Sequence, residues 1–70
     1  MSEVARIRRL IELECEAMSL ALYGYSQVAS HQIINRRYNN IGRYQDRLET
    51  LVGEEEAATI VVETYNKVIG

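Results

Sequence analysis

The chain has no proline, tryptophan or phenylalanine, and only one cysteine, one histidine and four glycines in 70 residues. Each scarcity excludes something. A lone Cys15 cannot close an internal disulfide, and one His with one Cys cannot complete a structural zinc site. The covalent and metal supports of very small proteins are therefore missing. A chain of this length buries only about 60% of the surface it exposes when unfolded, so its own core is thin. The absence of proline leaves long stretches free to form helix. Five tyrosines are all the aromatic material, so the apolar mass is aliphatic. With 47% hydrophobic residues and a net charge of −2, the composition is that of a folded chain. One domain, residues 1–70, is expected.

Charge is also missing locally. Residues 17–35 carry no charged side chain, whereas residues 1–16 sum to −1, residues 36–49 to +2 and residues 54–70 to −3. The uncharged run has the length of a membrane span. It holds Ser19, Ser26, Gln27, Ser30, His31, Gln32 and Asn35, however, a polar density too costly for hydrocarbon. Arg6, Arg8 and Arg9 are followed by Glu12, Glu14 and Glu16, where a signal peptide needs an apolar stretch. No membrane association is expected, and a cytoplasmic location is.

Periodicity supplies the elements. Ser2 is placed to cap a first helix. Val4, Ile7, Ile11, Met18, Leu22, Tyr25 and Ala29 follow at steps of three, four or seven, one stripe of a 3.6-residue repeat. Continued in the same register, that stripe meets Arg36, Asn40, Arg43 and Arg47. Residues beyond 30 instead carry an apolar stripe of their own at Ile34, Tyr38, Ile41, Gln45, Leu48 and Val52. A single straight helix would change its buried face near residues 30–34, so either a turn lies between about 24 and 32, or the middle is buried all round and the two ends meet different partners. Asn39-Asn40-Ile41-Gly42 is a second turn-prone stretch. Gly53 ends the second segment, and Glu54, Glu55 and Glu56 then favour the positive end of a new helix dipole. Ala58, Val61, Val62, Tyr65, Val68 and Ile69 form the apolar face of that last helix. The expectation is an all-α protein of two long or three unequal antiparallel helices, about 2–24, 26–52 and 54–69, in a bundle completed by oligomerisation.

Catalytic chemistry has little to draw on, because there is no phosphate-cradling glycine loop, no nucleophile elbow, and one Asp, one His and one Cys. A non-enzymatic protein is expected. Glu12 and Glu16 are one turn apart, as two metal-bridging carboxylates must be. The residue three before His31, however, is Val28 rather than the glutamate of the di-metal bundle pattern. No metal and no cofactor is expected, and the tyrosines are read as core and interface packing.

Two binding surfaces compete. Met18, Leu22, Tyr25, Val28, Ala29, Ile33 and Ile34 lie in or beside the uncharged run and are predicted to form an interface with a second copy. Arg36, Arg43 and Arg47 share one helical face, with Arg37 and Tyr44 nearby, a spacing suited to phosphates or another polyanion. The acidic balance, pI about 5.3, disfavours nucleic acid as the partner. A helix-turn-helix reading fails because Ile33 stands where the turn glycine belongs. The leading expectation is a small helical oligomerisation and protein-interaction module, a regulator or assembly factor that binds itself and another protein. A polyanion binder is the first alternative, and a small-ligand or metal-binding bundle the second.

Overall fold

The structure, a computed structural model, describes residues 2–24 and 27–70, with the side chains of 23, 24 and 27–30 outside that description. Three helices make up the fold: α1 (Glu3–Gly24), α2 (Gln27–Val52) and α3 (Glu54–Val68). Every helix packs against the other two, in a bundle 37 × 20 × 18 Å across. Of the two arrangements predicted, three unequal helices is the one adopted.

The helix ends follow local chemistry. Ser2 Oγ accepts a hydrogen bond of 3.0 Å from the Ala5 N–H, the predicted cap. The change of apolar face between α1 and α2 falls at a helix boundary, since α1 ends at Gly24 and α2 begins at Gln27. The second turn-prone stretch forms no turn, and α2 runs unbroken through Asn39, Asn40 and Gly42. Burial of Ile41 and Leu48 on either side of Gly42 outweighs the ~1 kcal/mol that glycine costs a helix.

α2 and α3 are separated by Gly53 alone, at φ 91° and ψ 165°. The φ is positive and ψ is extended rather than left-handed helical, a region open almost only to glycine. Its N–H bonds the Glu49 carbonyl and its carbonyl accepts the Ala57 N–H, both at 3.0 Å. No side chain caps α3, and the dipole end is served by Glu54, Glu55 and Glu56. Gly42 is the contrasting case: a methyl group at either glycine would meet nothing within 4 Å, but only Gly53 has a positive φ. Alanine substitution at the two glycines is therefore expected to act in opposite directions. Gly53→Ala costs about 1–3 kcal/mol through strain, while Gly42→Ala gains about 0.5–1 kcal/mol in helix propensity. Thermal melts followed by far-UV circular dichroism check both, with the two midpoints on opposite sides of wild type.

The core joins Ile7, Ile11, Cys15 and Met18 of α1, Ile41 and Leu48 of α2, and Ala57 and Ile60 of α3. On α3 the buried line is Ala57, Ile60 and Thr64, one step round from the predicted face, and Val62 is exposed. Thr64 fits in the core because its hydroxyl donates to the Ile60 carbonyl at 2.7 Å. Cys15 is fully buried.

Candidate binding surfaces

Ion pairs between helices fix how the three elements sit against one another. Arg47 of α2 reaches Glu3 of α1, with Nη2 and Nε at 3.1 and 3.3 Å from the same carboxylate oxygen, which also lies 3.0 Å from Arg6. Those bonds, Arg47 first and Arg6 second, hold the Glu3 carboxyl below its ordinary pKa. Arg37 donates to Glu14 at 3.0 Å, and Asn40 joins the same carboxylate at 3.4 Å. Lys67 of α3 stands 3.6 Å from Glu12 of α1, which Arg9 also approaches to 2.7 Å. The exposed pairs among them, Arg47–Glu3 and Lys67–Glu12, add little stability. Their value here is as markers of register, with α1 antiparallel to α2 and alongside α3 in the same direction.

That register decides what the predicted arginine face can do. Arg47 and Arg37 are committed to Glu3 and Glu14, and the Arg37 Nε is buried without a hydrogen-bond partner among the described residues. Arg36 and Arg43 remain exposed and make no ion pair among the described residues. Tyr44 packs half-buried against the core rather than beside them. The structure thus leaves two free guanidiniums, two turns apart on α2, where the sequence offered four.

The predicted interface residues fall into three groups. Met18 is 2% exposed and belongs to the chain's own core, so its surface is already spent. Leu22 is exposed, while Ile33 and Ile34 are half-buried, with Ile34 packed against the core. Tyr25 lies outside the described residues, as do the side chains of Val28 and Ala29. His31 is exposed.

Length accounts for the exposure of Leu22. At 1.5 Å per residue, α2 is about 39 Å long and α3 about 22 Å. Tyr65 of α3 lines one cavity with Tyr38 and Cys15, and Lys67 meets Glu12, so α3 ends level with the middle of α1 and of α2. Residues 16–24 of α1 and 27–36 of α2 project past it as a two-helix tip, which holds most of the uncharged run. Leu20 and Leu22, roughly 200° apart around α1, are 70% and 53% exposed there. Leu13 adds another exposed side chain on the outward side of α1.

A second feature was not predicted. Between α2 and α3 opens a cavity of about 290 Å³ lined by Cys15, Tyr38, Ile41, Val61, Val62 and Tyr65. The hydrogen bond with Tyr38 raises the Tyr65 phenol above its ordinary pKa. Burial, reinforced by Glu14, Glu12 and Glu16, raises the Cys15 thiol above 9.0. Tyr38 and Tyr65 each stand in a predicted stripe, but their meeting depends on how far α3 slides along α2, which no residue spacing reveals.

The raised thiol and phenol give the bundle an alkaline limit. Each binds its proton more firmly folded than unfolded, so its contribution is whole below the unfolded pKa and fades as pH climbs toward the folded one. Stability is expected to fall from about pH 9 upward, where the unfolded thiol ionises first. Urea melts at stepped pH check this, and Cys15→Ala should flatten the first part of the decline. A slope unchanged by that substitution would assign the decline elsewhere.

Fold and surface together define the class: a small three-helix bundle with two leucines, Leu20 and Leu22, exposed on the part of α1 that extends beyond α3. Among the described residues no helix is long and apolar enough to cross a membrane, and no cluster of three or more His, Cys, Asp or Glu is placed to hold a metal ion. In comparisons with protein-family models, curated proteins and solved structures, nothing matches this chain.

Proposed function

We propose that this chain is a non-enzymatic helical interaction module that self-associates through the tip of its α1–α2 hairpin. The observation that carries this reading is the shortness of α3. It leaves the uncharged half of the hairpin with two helices where the lower half has three, and Leu20 and Leu22 are exposed on that stretch. A second tip packed against the first would supply the missing neighbours and complete a four-helix arrangement. A standard interface takes about 800 Å² from each partner. That is about a sixth of the 4869 Å² this chain exposes. Leu22, Ile33 and Ile34 are the contact residues within the described part, joined by Tyr25, Val28 and Ala29 in the assembled form.

Sedimentation velocity from micromolar to submillimolar concentration tests the reading. A reversible shift from one chain to two is expected. A folded monomer across the whole range overturns it.

A further inference from the structure

The cavity between α2 and α3 lies beside the part of the bundle where all three helices pack, at the base of the hairpin tip. Its wall comprises Tyr38 and Ile41 of α2, Val61, Val62 and Tyr65 of α3, and Cys15 of α1 at the inner end. From these residues we infer that it is a binding site for a neutral, mainly apolar molecule carrying one hydrogen-bonding group, of the phenol or naphthol class.

Size sets the scale of the ligand. A cavity of ~150 Å³ holds a benzene ring, so about 290 Å³ suits a molecule of two fused rings. Charge sets its kind. No lining residue is a carboxylate, a guanidinium or an amine, and the thiol at the inner end stays protonated at neutral pH because burial disfavours the thiolate. An ionised ligand would enter without a counter-charge and lose its hydration. A neutral one forfeits little. Tyr38 on one wall and Tyr65 on the other each bring a phenol to the lining. A ligand hydroxyl can bond to a phenol as donor or as acceptor. The rim gives a further reason for occupancy. Tyr38 and Val62 are 52% and 57% exposed, apolar surface that a bound ring would cover.

The test uses the ¹⁵N-labelled full chain titrated with 2-naphthol and, separately, with naphthalene-2-sulfonate. Saturable shifts with 2-naphthol, centred on the amides of Cys15, Tyr38, Ile41, Val61, Val62 and Tyr65, are expected. The sulfonate should bind at least about tenfold more weakly, the cost of an uncompensated charge. Val62→Trp fills the opening from an exposed position, so helicity should be retained while naphthol affinity falls by about tenfold or more. Tyr38→Phe removes one hydroxyl and should weaken naphthol by roughly three- to tenfold. Shifts centred on the hairpin tip, equal binding of both probes, or unchanged affinity in the folded Val62→Trp chain would each overturn the assignment. Sedimentation of the same samples reports self-association separately, so failure of one proposal is not read as failure of the other.

Discussion

Leu48→Ala is expected to leave the chain largely unfolded at 25 °C in dilute solution. Leu48 is fully buried on α2, in one cluster with Ile7, Ile11, Ala57 and Ile60. Removing a buried leucine side chain costs ~2–5 kcal/mol, transfer and cavity terms together. A single core in a chain this short supplies only about 3–5 kcal/mol of net stability. Loss and reserve are of the same size, so one substitution exhausts the bundle. Leu51→Ala, one turn on and 43% exposed, is the control and should cost under about 1 kcal/mol. Urea melts followed by circular dichroism compare the two. A Leu48→Ala chain with a normal cooperative transition would mean that the core is stronger than its few buried residues imply.

The second large effect concerns the tip. Periodicity alone places Leu22 in the main stripe of α1 and so predicts that Leu22→Glu destroys helicity and assembly together. The structure separates the two. Leu22 is 53% exposed because α3 ends below it, so a glutamate there meets water in the isolated chain and helicity should be preserved. In a two-fold assembly the same change buries two carboxylates, one from each copy, in an uncharged contact. A weakening of association by at least about 100-fold is expected, equivalent to ~2.7 kcal/mol. Sedimentation shows it as monomer at concentrations where wild type pairs, with an unchanged far-UV spectrum. Loss of helicity would mean that Leu22 supports the single chain, and persistence of the dimer would place the contact elsewhere.

What could be read from the residues was whatever depends on neighbours in sequence. Ser2, Gly24, Gly53 and Glu54–Glu56 mark helix ends through local capping and dipole chemistry, and the three predicted spans match the helices within a residue or two. The switch of apolar face between Ala29 and Ile34 called for a change of helix nearby, and the boundary lies just before it, between Gly24 and Gln27. Asn39, Asn40 and Gly42 are turn-prone locally, but the predicted span 26–52 runs through them and so does α2, where burial of Ile41 in the packed bundle outweighs weak local preferences. Register was illegible. Whether Arg37 and Arg47 are free or paired depends on which turn of α1 lies beside them, as does the meeting of Tyr38 with Tyr65. Met18 and Leu22, one turn apart in the same stripe, look equivalent on a helical wheel. The end of α3 divides them into a core residue and a surface one.

The single residue between α2 and α3 also bears on time. With Gly53 as the whole connection, those helices meet without an intervening loop to close, and the short link between Gly24 and Gln27 brings α1 and α2 together almost as cheaply. The contacts of α1 with α3, such as Glu12 with Lys67, join residues nearly the full chain apart and are the only helix pairing that must wait for both neighbours. Folding of such a chain is paced by local events, on the microsecond to millisecond scale of helical bundles. A thin core then carries a compensation: a molecule that opens often also closes fast, and spends little time with its apolar faces unguarded.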